Sequence, residues 1–310
     1  LSYLAEAQVN LENVFGEFLA LGGALVFGVA STAYTLAGRK IDASFSMALS
    51  LVISLLFFAP IHQLMHGEPV PLNAEPDRWL ILGLSSLAGF VISALFLLRS
   101  FQYIGPRLTM LVGSTSPIFA ALMAWVFLGQ QLPAFAVIGI AVVVGGVVWV
   151  VSERGARQID GQGADYGKGL SMAVAAAVGQ GAGFVLMSEG VAGGFSPMSA
   201  GLIRTIVAIV LLWVYIALRG TLRHNLELIL SSPGALAWLV LASAAGPVAG
   251  TTLILISLQY TSVGISSTLT NTTPIFLIPI AYLAFGERIT ARAVVGTLIA
   301  IAGVALLFAA

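Results

Sequence analysis

The chain reads as an all-α polytopic membrane protein of ten transmembrane helices arranged as two inverted five-helix repeats. Three observations predict this. Only 8% of the 310 residues are charged while 59% are hydrophobic, ten apolar segments of spanning length follow one another, and the second half repeats the first in one ungapped register. An ordinary soluble domain carries roughly 25% charged residues. With a mean hydropathy of +1.02, a water-soluble fold is excluded. The 34 glycines follow no collagen period and suit close helix packing in lipid.

A helix crossing about 30 Å of hydrocarbon at about 1.5 Å per residue needs about 20 apolar residues. Such segments, separated by charged or Pro/Gly-rich breaks, run over 17–37, 44–64, 79–98, 108–128, 134–151, 167–188, 197–218, 235–258, 265–285 and 293–309. Most breaks are short, so neighbouring helices are expected to be antiparallel. The stretches 66–78 and 152–165 are longer and polar, but neither could form a domain. The expected organisation is a lead-in over 1–16, a first repeat over 17–151, a linker over 152–166 and a second repeat over 167–310. No basic stretch with a small-residue cleavage site precedes the first span, so that span is expected to do its own targeting.

Arg39, Lys40, Arg99, Arg107, Arg154, Arg157, Lys168, Arg219, Arg223, Arg288 and Arg292 all fall at alternate breaks on one side. That side is predicted to be cytoplasmic, with both termini on the other. Only Arg78 lies opposite, and Arg204 is inside a span. The 13 basic and 13 acidic residues balance, leaving no excess for nucleic acid, and the absence of Cys removes disulfides, thiolate metal sites and cysteine nucleophiles.

An offset of 157 places Ser100, Gln102 and Tyr103 on Ser257, Gln259 and Tyr260. The same offset carries Thr115, Pro117, Ile118 and Phe119 onto Thr272, Pro274, Ile275 and Phe276, and Gly129, Gly139 and Gly146 onto Gly286, Gly296 and Gly303. Gln-Tyr, Pro-Ile-Phe and three glycines in one register mark a duplication. Because five is odd, the second unit enters the membrane upside down, an arrangement used by secondary transporters that rock about a midplane site. No phosphate-binding GxxxxGK[ST] loop is present, which disfavours direct ATP drive.

At mid-depth of the fourth span lies Gly113-Ser114-Thr115-Ser116-Pro117, and of the ninth, Thr270-Asn271-Thr272-Thr273-Pro274. Proline removes a backbone donor and opens the preceding turn. Pro117 and Pro274 are therefore expected hinges, and Ser114, Thr115, Asn271 and Thr272 expected substrate ligands; back-bonding to their own helices is the structural alternative. Ser31 and Tyr34 on the first span, Phe90 and Ser93 on the third and Gln180 on the sixth complete the candidate binding set. Gly179-Gln180-Gly181 and Gly183 lie inside a span, not between a strand and a helix, so a dinucleotide loop is not expected. Ionisable groups inside spans are functional suspects, and two qualify. Glu189 and Arg204 lie on helices joined by a short turn, where they are expected to pair as a structural bridge or outer gate, or Arg204 to attract a substrate carboxylate. His62 and His66 have metal-compatible spacing but no third ligand, so no metal and no cofactor is expected.

Thr272-Thr273-Pro274-Ile275-Phe276, the helix end Phe285-Gly286-Glu287-Arg288-Ile289-Thr290, and Gly296 with Gly303 resemble the EamA-type branch of the drug/metabolite transporter superfamily. The first copy keeps Ser116-Pro117-Ile118-Phe119 and Leu128-Gly129 but has Gln130 and Gln131 where the family usually shows Glu and a basic or polar residue. Within the branch the chain looks most like bacterial YddG-type amino-acid exporters. That resemblance implies a basket of ten helices in a bacterial inner membrane, with a cavity walled by the first, third, fourth, sixth, eighth and ninth. Relatives that exchange protons for cationic drugs carry a Glu in the middle of the first helix, and none stands here. Carriers of phosphorylated sugars should need several basic groups in the cavity. A neutral or zwitterionic metabolite, amino acids foremost, is the expected substrate, with the bilayer as surroundings and no obligate protein partner. Other metabolites or drugs, a membrane enzyme acting on lipid-like substrates, and a passive channel are the alternatives; an enzyme should show acidic or His clusters at one interface, and the loops show none.

Overall fold

The computed structural model describes residues 2–37, 43–153, 166–220, 225–227, 229, 231–285 and 290–308. Among these, every regular element is helical, as required where no water can satisfy backbone groups. Helix α1 (Ser2–Ala37) runs without a break. The separate lead-in expected over 1–16 is therefore, from Ser2 onward, the first part of the first helix. Helix α2 (Ala43–His66) follows, and then α3 (Pro76–Ser86) passes through a π-helical segment (Leu87–Ile92) into α4 (Ser93–Gly113). The first half closes with α5 (Ser116–Leu128) and α6 (Ala134–Glu153).

The second half contains α7 (Tyr166–Val191), α8 (Pro197–Arg219) and α9 (Pro233–Ser243). A second π-helical segment (Ala244–Gly250) leads into α10 (Thr251–Tyr260), followed by α11 (Val263–Thr270), α12 (Thr273–Phe285) and α13 (Ala291–Phe308). Six stretches among the described residues are long and apolar enough to cross a membrane alone: Asn13–Ala37, Ser44–His66, Pro76–Leu97, Tyr166–Gly194, Pro197–Arg219 and Pro233–Tyr260. Shorter apolar helices accompany them at Ser116–Leu128, Ala134–Trp149 and Ala291–Leu307.

The duplication extends into irregular features. The two π-helical segments start at Leu87 and Ala244, positions related by the same offset that relates the sequences. Helical backbone continues through 93–113, yet the hydroxyls of Ser100 and Thr109 are 2.8 Å apart. Nine residues of straight helix would separate them by about 13 Å, so the chain doubles back between them. Their counterparts Ser257 and Ser266 meet at 3.0 Å across the extended residue Thr261. The segments 108–128 and 265–285, expected as single spans, are each broken at the Pro-preceding turn. In both, the proline takes the first turn of a new helix, where its missing donor costs least.

Packing departs from chain order. Helix α1 lies against α9, the second π segment, α10, α11 and α12, all from the other half, whereas α7 lies chiefly against α3, the first π segment, α4 and α5. The first helices of the two repeats are thus exchanged. Glycines permit the close approach: a Cβ on Gly89 would lie 2.8 Å from the Cα of Gly183. Helices α2 and α8 form one outer pair and α6 and α13 another. The repeated glycines explain the second pair, since a Cβ on Gly146 would meet the Ala300 backbone at 2.7 Å and one on Gly303 the Val143 backbone at 2.6 Å.

Exchange also fixes how α1 and α7 correspond. Gly16 faces Tyr260 while Gly169 faces Tyr103, and Gly28 faces Phe276 while Gly181 faces Phe119. Because Tyr103 matches Tyr260 and Phe119 matches Phe276, α1 and α7 align at an offset of 153. Phe27 then stands opposite Gln180, and Ser31 opposite Phe184.

Candidate functional site

A cavity of about 370 Å³ lies where the exchanged helices and the two broken helices converge. Phe27 and Ser31 of α1, Gly89 and Phe90 of the first π segment, Leu97, Met110 and Gly113 of α4, and Ser114 line one part. Gln180, Gly183, Phe184 and Met187 of α7, Arg204 of α8, Thr251 and Ile254 of α10, and Thr270, Asn271, Thr273, Pro274 and Leu277 line the rest.

Both helices break where a proline, having no amide hydrogen, leaves without its helical amide donor the carbonyl four residues before it, that of Gly113 for Pro117 and of Thr270 for Pro274. In the first turn Ser114 donates from its amide to Met110 and Thr115 to Val112. In the second, Asn271 donates to Ser267 at 3.0 Å and Thr272 to Leu269 at 3.1 Å. The turns meet: the Ser116 hydroxyl lies 3.5 Å from Asn271 Oδ1, at the outer limit of a hydrogen bond.

The hydroxyl protons at these turns, and one of the two Asn271 amide hydrogens, are already committed. Ser114 donates to the Met110 carbonyl at 2.9 Å, Thr270 to Ser266 at 2.8 Å, Thr273 to Thr270 at 2.8 Å and the Asn271 amide to Ser267 at 2.9 Å. What the hydroxyls can offer a ligand is therefore oxygen lone pairs, which seek a donor such as an ammonium group, while Asn271 offers its Oδ1 and keeps one of its two amide hydrogens. Arg204 supplies the opposite polarity. Its Nε is buried without a hydrogen-bond partner among the described residues, while Ser86 donates to the Arg204 carbonyl at 2.9 Å and ties α8 to the start of the first π segment. Leaving a buried guanidinium unpaired is costly unless an anion completes it.

Of the candidates, Ser31, Phe90, Ser114, Gln180, Asn271, Pro274 and Arg204 lie on the cavity wall. Others are directed elsewhere. The Tyr34 hydroxyl bonds Ser50 Oγ, and Ser50 in turn receives the Ser243 hydroxyl at 2.9 Å. Ser93 is buried and donates to the Ala176 carbonyl at 2.7 Å, stapling α4 to α7. Thr115 and Thr272 point one helical step away from the cavity and donate to Val112 and Leu269, each at 2.6 Å. Pro117 is buried at the start of α5.

The expected Glu189–Arg204 bridge is not formed, and neither side chain has an ion-pair partner among the described residues. Glu189 is exposed at the end of α7, where Arg78 takes the role instead. It donates to the carbonyls of Glu189 at 3.0 Å and Gly190 at 3.2 Å, stacks over Phe195 at 5.3 Å and approaches Glu75 at 3.9 Å. A cation on the free carbonyls of a helix C-terminus is favourable; the sequence had set Arg78 aside as the charge on the wrong side. His62 and His66 stack at 4.5 Å. His62 Nδ1 lies 2.5 Å from the Glu68 carbonyl and Nε2 lies 2.8 Å from Ser199 Oγ, so both nitrogens are occupied. No group of three His, Cys, Asp or Glu gathers among the described residues.

Sequence reasoning missed most of the apolar wall: Phe27, Phe184, Met110, Met187, Ile254 and Leu277. Its one available signal was the 153-residue register of the first helices, which the 157-residue offset of the rest concealed.

A model of the EamA-like transporter family matches residues 14–152 and 167–309. A solved structure, titled only "Crystal structure of protein", superimposes with a TM-score of 0.74 over 94% of this chain and 95% of that one, at 16% identity. It shares the fold. No curated protein matches the chain.

Proposed function

This chain belongs to the EamA-like transporter family, and from that premise we propose that it is a secondary carrier exporting amino acids or similar small zwitterions by alternating access. The family's members are transporters rather than enzymes, and the chain is a multi-pass membrane protein of that family. The finer reading is ours: ten spans in two inverted repeats, both termini on the non-cytoplasmic face of a bacterial inner membrane, and a specificity like that of the YddG-type amino-acid exporters.

One observation carries the reading, namely the opposed polarity of the cavity. Arg204 presents unspent donors, and Ser114, Thr270, Asn271 and Thr273 present unspent acceptors. A zwitterion satisfies both, with its carboxylate at the guanidinium and its ammonium toward the broken turns; the Gln180 amide can bond either end. Phe27, Phe90, Phe184 and the two methionines leave room for an apolar side chain. The broken helices with Pro117 and Pro274, and the exchanged helices α1 and α7, supply elements that rocking halves could use.

Counterflow in proteoliposomes tests this. Vesicles preloaded with unlabelled amino acids, neutral sugars or cationic dyes receive the matching labelled compound with no ion gradient. Accumulation confined to amino acids is the expected result. Accumulation of sugars or dyes with none of amino acids would overturn the zwitterion reading.

A further inference from the structure

A second pocket, sharing no lining residue with the central cavity, lies where α1, the α5–α6 connection, the α10–α11 turn and α13 meet, with a volume of about 480 Å³. Glu17 is on its wall. That side chain is only 4% exposed, and Oε2 has no hydrogen-bond partner among the described residues. Among the described residues, none that lines the pocket is basic. An isolated buried carboxylate costs several kcal/mol unless something positive completes it.

The duplication does not repeat this acid. In the exchange-related register Gly16 corresponds to Gly169, so Leu170 occupies the position of Glu17 at the opposite end of the molecule. Leu170 is exposed there, at 37%, so a buried acid is specific to the Glu17 end.

Neighbouring groups narrow the ligand. Gln259 spends one of its two amide hydrogens on the Phe195 carbonyl at 3.0 Å and keeps its oxygen, while Gln130 accepts from the Val263 amide at 3.1 Å. Gln131 and Tyr260 also line the pocket, and the Tyr260 ring is held edge-on to Phe15 at 5.4 Å. One carboxylate among neutral amides and an aromatic residue, with the Gln259 oxygen free among the described residues, matches a single positive charge. The volume lies in the range of small organic ligands and far exceeds a bare ion with its oxygen shell. An ammonium group has three donors for the carboxylate and amide oxygens and is attracted to an aromatic face. We propose that this pocket is a peripheral binding site for a small primary organic ammonium ion, anchored by Glu17. The proposal stands apart from the transport reading of the central cavity.

The test uses the full chain in lipid nanodiscs, titrated with butylammonium chloride at constant ionic strength against sodium chloride. Wild type should show a saturable rise in melting temperature, because a ligand that binds only the folded state stabilises it. Glu17→Gln and Glu17→Leu should both fold and bind at least about tenfold more weakly, the latter copying the residue at the opposite end. Asn271→Leu, in the central cavity, should bind butylammonium as wild type does. The proposal is overturned by an unsaturable or absent response in wild type or by equal binding in the Glu17 variants. It is overturned equally by a Glu17-dependent response to sodium alone, or by loss of binding in Asn271→Leu with retention in Glu17→Gln.

Discussion

The turns over 113–117 and 270–274 have nearly the same backbone and different chemistry. Ser114 and Asn271 occupy equivalent places, with φ, ψ of −63°, −10° and −70°, −1°, and each precedes a helix that opens on proline. Yet the first turn shows the cavity only Gly113 and Ser114, while the second shows it Thr270, Asn271, Thr273 and Pro274. The exchanged helices differ in the same way, with Phe27 set against Gln180 and Ser31 against Phe184. Duplication preserved the machinery of bending. The lining diverged, because a ligand that is not itself two-fold symmetric cannot be matched by two identical walls.

The largest expected effect comes from the residue with no partner in the other half of that comparison. Arg204→Leu should lower amino-acid counterflow at least about 100-fold, the cost of a substrate carboxylate left unpaired in a desolvated site. Arg204→Lys should recover part of it, since a point charge replaces a planar fork. Amino-acid methyl esters, which lack the carboxylate, should not distinguish wild type from Arg204→Leu; if they do, the residue acts through structure alone.

Next come the turns themselves. Asn271→Leu should raise the half-saturating substrate concentration about tenfold and Ser114→Ala no more than about threefold, as expected for losing one directed acceptor against half of a weaker one. Equal effects would mean that the two turns contribute alike and that the lining asymmetry is idle. Thermal unfolding sharpens the contrast further. Gly89→Ala forces a methyl into the Gly183 backbone and should destabilise by about 2 kcal/mol, whereas Gly113→Ala, with nothing within 4 Å of the added carbon, should stay within about 0.5 kcal/mol. On transport the smallest effect is that of Tyr34→Phe, which should cost about 1 kcal/mol of stability through the lost bond to Ser50 and leave counterflow unchanged, because its hydroxyl bonds Ser50.

Part of the site was legible from residue type and depth. Ser114, Gln180 and Asn271 are polar groups in the middle of apolar segments, and lipid exposure would be too costly for them. Tyr34 and Ser93 satisfy the same criterion, yet their hydroxyls serve the Ser50–Ser243 chain and the α4–α7 contact. Composition cannot separate these cases. A residue's face is set by helix rotation: Ser31 and Tyr34 are three positions apart on one helix, yet Ser31 lines the cavity and the Tyr34 hydroxyl bonds Ser50 of α2. Thr115 and Thr272 are off the cavity lining for a simpler reason, since one helical step turns a side chain by about 100°.

By itself, the sequence determined an all-helical, membrane-embedded chain with a duplicated body, because hydrocarbon solvation and backbone self-satisfaction are decided segment by segment. It also determined where the fourth and ninth segments bend, since proline acts on its own turn. Tertiary structure decided the exchange of α1 and α7, the direction of each polar side chain, the solitude of Arg204 and the pairing of Arg78 with the end of α7. Those outcomes depend on contacts between residues more than a hundred positions apart, and local hydropathy holds no record of which helix face meets which.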